Sequence, residues 1–85
     1  MITQQLGLHP KVLKSAYPNL SYERIAIGLG KSVRQISRYC STTRPQEPPL
    51  GVMMQTYNFY RDLKEKGIHP EYQELIEQGI TELGF

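Results

Sequence analysis

Apolar positions recur at helical spacing in five stretches of this chain, and Pro and Gly separate them. Val12, Leu13 and Ala16 form one face of a first helix, predicted over residues 10–17. Pro10 suits its opening turn, where a missing N–H has no intrahelical partner. Pro18 ends it, because the residue before a proline avoids the helical region. A second helix is expected to start at Ser21, whose hydroxyl can accept from a free N–H of the first turn. Glu23 then sits favourably near the positive end of the helix dipole. Ile25, Ala26 and Leu29 give the helix its apolar face, and Gly28 and Gly30 mark its end. Gly30 can adopt the left-handed conformation that closes a helix without a Cβ clash. The third helix begins at once. Ser32 and Gln35 stand three apart in a capping-box pattern. Ile36 and Tyr39 give the buried spacing, with Val33 at its margin.

The next ten residues, STTRPQEPPL, hold three prolines and predict a linker or a stiff surface loop. A strongly apolar fourth helix is expected over 52–66, carrying Val52, Met53, Tyr57, Phe59, Tyr60 and Leu63, with Gly67 as its stop. His69 and Pro70 are expected to open a last helix, as His9 and Pro10 open the first. Its stripe is Tyr72, Leu75, Ile76, Gly79, Ile80 and Leu83. Its other face is acidic, with Glu71, Glu74, Glu77 and Glu82. The expected fold is therefore all-α: a three-helix unit over residues 1–45, then two C-terminal helices over 46–85. The two parts are expected to form one compact domain.

Charge sharpens that division. Residues 1–45 carry seven Lys and Arg against one acidic residue, and residues 46–85 carry three against seven. The net charge of +2 conceals this split. A basic half implies a polyanionic partner; the acidic half implies a different task.

The run IAIGLGKSVRQISRYC, residues 25–40, resembles the helix-turn-helix core of bacterial and phage DNA-binding proteins. Ala26 stands where a small residue lets two helices cross closely. Gly30 matches the turn glycine, and Ile36 the apolar residue that pins the second helix to the first. The resemblance covers roughly 20 residues. Lys31 and Tyr39 depart from it, since the residue after the turn glycine is often apolar and an aliphatic residue is commoner in the place of Tyr39, so the subfamily stays open. The resemblance implies sequence-specific binding of double-stranded DNA, as a small transcriptional regulator or an accessory factor of a mobile element. Base contacts fall to the recognition helix: Ser32, Val33, Arg34, Gln35, Ser37 and Arg38. Arginine pairs bidentately with guanine and glutamine with adenine, and Val33 can touch a thymine methyl. Ser21, Tyr22, Arg24, Lys31, Ser41 and Arg44 are placed for phosphates, which position the protein without reading sequence. The free N–H groups at the start of the second helix can also receive a phosphate. One recognition helix reads few base pairs, so pairing with a second copy or a protein partner is expected through residues 50–85. The alternative reading is a protein–protein interaction module, antitoxin-like or an adaptor, with a helix-turn-helix shape.

Other chemistry is not expected. His9 and His69 both precede proline and read as helix-start residues. A single cysteine, Cys40, excludes a disulfide and a cysteine-based zinc cage within one chain, and no His, Cys, Asp and Glu cluster has metal spacing. Glu71, Glu74 and Glu77 read as a solubilising face. GLGKS (28–32) resembles the tail of a phosphate-binding loop, but Ile25 stands where its first glycine belongs and the flanks read as helices. No catalytic residue, metal or cofactor is assigned. No run reaches the about 18 to 20 apolar residues that cross a bilayer. The first ten residues lack the basic start and apolar run of a signal peptide, so a cytoplasmic location is expected.

Overall fold

His9 begins the helical part of the chain. Its backbone is extended, and its Nδ1 accepts from Lys11 N–H at 3.0 Å, which supplies a partner for one of the free donors of the first turn, Pro10 having none. A computed structural model describes residues 5–41, 43 and 47–83. Among them the order is β1 (Gln5–Gly7), α1 (Pro10–Ala16), α2 (Tyr22–Leu29), α3 (Val33–Tyr39), α4 (Leu50–Glu65), α5 (Gln73–Gly79) and β2 (Thr81–Leu83). The structure is mostly helical, with a small two-stranded sheet.

The five helices agree with the mainly α-helical expectation, and the sheet adds to it an element that was not expected. β1 and β2 run antiparallel, pairing Gln5 with Leu83, Leu6 with Glu82 and Gly7 with Thr81. The last helix is correspondingly shorter at both ends than its apolar stripe suggested. His69 and Pro70 do not open it. The N–H groups of Glu71 and Tyr72 both go to the Ala16 carbonyl, at 2.9 and 3.3 Å, so this segment caps the end of α1 instead of coiling. The helix stops at Gly79, the poorest helix former in the run after proline is set aside. Ile80 is extended, and Leu83 is buried on β2. Gly79 sits so close to Val12 that an added Cβ would lie 2.5 Å from Val12 Cγ1. The missing side chain lets α5 press onto α1.

α4 starts at Pro49, without a side-chain cap, and holds the N-terminal strand: Leu8 N–H reaches the Met53 carbonyl at 3.0 Å. Its buried stripe is Val52, Thr56, Tyr60 and Leu63. The Thr56 hydroxyl donates to the Val52 carbonyl at 2.8 Å, which satisfies it in an apolar setting. Gly67, at φ 81°, closes α4. Gly67 N–H bonds Lys64 O and Ile68 N–H bonds Leu63 O, the paired bonds of a Schellman stop. The Tyr17 hydroxyl then donates to Ile68 O at 3.0 Å and ties the end of α1 to this turn. One hydrophobic cluster draws Leu8, Leu13, Ile25, Ile36, Leu63 and Ile76 together, all fully buried.

Candidate nucleic-acid interface

The segment from Ser21 onward builds two short helices with little intervening chain. The Ser21 hydroxyl accepts from Arg24 N–H at 3.1 Å and starts α2. Ile25, Ala26 and Leu29 turn inward. Gly30, at φ 65° and ψ 32°, then ends the helix in the left-handed region. Gly30 N–H bonds Ile27 O at 3.3 Å and Lys31 N–H bonds Ala26 O at 2.9 Å, a second Schellman stop. Two residues later the Ser32 hydroxyl accepts from Gln35 N–H at 3.2 Å, and α3 begins. Its inward residues are Ile36, fully buried, and Tyr39. Ala26 is buried in the same cluster. α2 and α3 are in contact across the Gly30 turn, and Ala26 and Ile36 both belong to the one buried cluster.

The outward side of α3 carries the candidate base contacts. Arg34, Ser37 and Arg38 are exposed and fall on one side of the helix, opposite Ile36 and Tyr39. Ser32 is exposed and also serves as the cap. Val33 is 42% exposed, so it lies outside the buried stripe at whose margin it was expected. Gln35 is half-buried. Among the described residues, neither Arg34 nor Arg38 pairs with a carboxylate. The ion pair present is Lys66 with Asp62, 2.9 Å apart on α4.

The candidate phosphate contacts are more scattered. Ser21 is exposed, Tyr22 and Lys31 are half-buried, and Ser41 places its hydroxyl 3.3 Å from that of Thr43. Arg24 is exposed and lines a groove between α2 and α4. Arg44 lies outside the described residues. Sequence reading gave no site role to Lys14. Its Nζ donates to Pro18 O at 2.8 Å and stands 5.5 Å from the centre of the Tyr22 ring. Lys14 thus brings a cation of α1 to the start of α2. The signal was its place in the last turn of a helix that ends beside that start.

Three groups have altered acidity, and the first is the Tyr17 phenol, which burial and then Tyr60 push up to about 12. Burial pushes the Cys40 thiol up, against the opposing pull of Lys14 and Lys11, so it stays a neutral, buried thiol at the end of α3. Burial and then Lys11 hold His9 below its usual range, with Glu47 acting the other way. Glu71, Glu74, Glu77 and Glu82 are all exposed, but only Glu74 and Glu77 lie on α5, which packs against α1. Among the described residues no group of three His, Cys, Asp or Glu could hold a metal ion, and no helix is long and apolar enough to cross a membrane. No protein-family model matches the chain, and no curated protein or solved structure matches it significantly.

Proposed function

We propose that this chain binds duplex DNA sequence-specifically, with α2, the Gly30 turn and α3 acting as a helix-turn-helix. In this reading it is a small transcriptional regulator or an accessory factor of a mobile element. One observation carries the reading: after the Gly30 stop, α3 buries Ile36 and Tyr39 while Arg34, Ser37 and Arg38 are exposed, neither arginine paired with a carboxylate among the described residues.

An α-helix, about 10–12 Å across with its side chains, fits the major groove of about 12 Å width, and at 7 residues α3 reaches roughly 10 Å along it. Arg34, near its start, is the residue for a guanine edge. Arg38, one turn on, follows the same groove. Val33 is exposed enough to meet a thymine methyl, and Gln35 flanks the stripe. Tyr22, Lys31 and Ser21 are placed for the backbone, and Lys14 joins them beside Tyr22. Arg24, in its groove, is left aside. The protein-interaction reading draws on a different observation, the 77% exposure of Ile27 on α2, and requires no affinity for DNA.

Selection of bound sites from random duplex DNA tests the proposal. A recovered consensus supports it; an unenriched pool overturns it. Within that consensus, Arg34→Ala is expected to cost about 1–3 kcal/mol and to relax preference at one position. A uniform loss on every sequence would make Arg34 a phosphate contact.

A further inference from the structure

Ile27 is the least expected surface residue on this protein. It is 77% exposed, far more than any other large apolar side chain among the described residues. It does not stand alone. It lines a groove of about 390 Å³ between α2 and α4, together with Gly28 and Phe59, the polar Gln55 and Asn58, and the charged Arg24, Asp62 and Lys66. Gly28 is packed against the Phe59 ring; an added Cβ there would lie 2.4 Å from Phe59 Cε1. The missing side chain brings α2 down onto α4 and leaves Ile27 standing proud beside the ring.

The charges on the two banks decide what fits. Arg24 lies on the α2 bank and has no acidic partner among the described residues. Asp62 lies on the α4 bank, bound to Lys66 at 2.9 Å, with carboxylate lone pairs still open to solvent. Arg24 and Asp62 line the same groove but are not within ion-pair distance of each other. A two-fold axis along the groove exchanges the banks, so α2 of one copy faces α4 of the other. Arg24 then meets the other copy's Asp62, twice, and Ile27 enters the other copy's groove beside its Phe59. With an unpaired cation on one bank and, on the other, a carboxylate that Lys66 holds but does not fill, the groove can match itself about a two-fold axis, as such a contact requires. We propose that the α2–α4 groove is the two-fold contact with a second copy of this chain.

The contact was expected on residues 50–85; the structure adds α2 to it. One further support rests on the DNA reading. The molecule measures 38 × 28 × 22 Å, so neighbouring copies can set two α3 helices near the about 34–36 Å that separates adjacent half-sites.

The test uses the full chain without DNA. Sedimentation equilibrium from micromolar to millimolar concentration is expected to shift from the monomer mass to twice that mass. Ile27→Asp is expected to weaken association at least tenfold, with helical circular dichroism and the thermal midpoint unchanged at concentrations where both proteins are monomers, because in the monomer the side chain is already in water. Arg24→Glu and Asp62→Arg are each expected to weaken it, and the double variant to recover it. A wild-type monomer throughout, an unchanged dimer in Ile27→Asp, or a double variant weaker than either single one would overturn the proposal. Species that grow beyond a dimer would overturn it as well, since a two-fold contact closes. With no DNA present, these outcomes leave the DNA reading to its own experiment.

Discussion

At the scale of single residues, three glycines separate backbone requirement from mere permission. Gly30 and Gly67 have positive φ, and neither has an atom within 4 Å of an added Cβ. Space is therefore not their constraint; the left-handed backbone is. Gly30→Ala should destabilise the protein by about 1–2 kcal/mol, the cost of that conformation for an L-residue. Gly51 is helical in the first turn of α4 and equally uncrowded. Gly51→Ala should stabilise by about 0.4–1 kcal/mol, since alanine restricts the unfolded chain at a position it fits. Urea unfolding of both variants checks the pair. Equal effects would mean that the turn at Gly30 relaxes away from positive φ. The exposed residues of α3 behave differently, because little of their packing depends on identity. Arg34 and Arg38 can be changed with small effect on folding, so their loss is to be read in binding.

At the scale of elements, most of the helices were legible because their stop and start signals are local. Ser21, Gly30 and Ser32 each act on groups within four residues, and the structure realises all three as caps. The ends of the chain were not legible. A three-residue strand is too short to show alternation, and Ile80 and Leu83 extend a helical stripe as readily as they fill a strand. What decides is Gln5 to Gly7 lying alongside, which is a tertiary fact. The start of α5 was missed for a related reason: the Ala16 carbonyl competes for the N–H groups of Glu71 and Tyr72. At the candidate site, Arg34 and Arg38 were legible from periodicity. The groove holding Arg24 and Ile27 was not, since it needs α4 in place. α1 offers a pH test at this scale. Its cap needs an unprotonated His9 Nδ1, and burial and Lys11 hold the imidazole below 6.5, with Glu47 opposing. The unfolded chain takes up that proton near 6.5 and the folded chain resists it. This contribution is therefore complete above 6.5 and is lost as pH falls through 6.5 toward the lowered folded value. The thermal midpoint should drop between pH 7.5 and 5.5. His9→Asn, which caps without titrating, should show a smaller drop; identical drops would remove His9 from the acid response.

At the scale of the whole molecule, charge and packing are arranged independently, and salt separates them. The core is apolar, every buried side-chain polar atom among the described residues is satisfied, and the one ion pair found there is solvent-exposed. Folding therefore owes little to charge pairing, because exposed pairs contribute little. DNA binding, in the proposed reading, owes much to it. Seven of the ten Lys and Arg lie in the first 45 residues, and the exposed glutamates of α5 ride on α1. Each phosphate neutralised releases counterions, so log affinity should fall linearly with log salt, at about 0.9 per phosphate contact. Lys31→Ala should flatten that slope by about one contact and weaken all sequences alike. Arg34→Ala, reading a base edge, should lower specificity with less change in slope. Titrations of a selected duplex from low to physiological salt, run beside thermal melts in the same buffers, make the comparison. Binding that weakens steeply while the melting midpoint barely moves is the expected pattern. A flat binding response would sink the helix-turn-helix reading, because a protein that holds duplex DNA through cations on one face cannot ignore the ions it displaces.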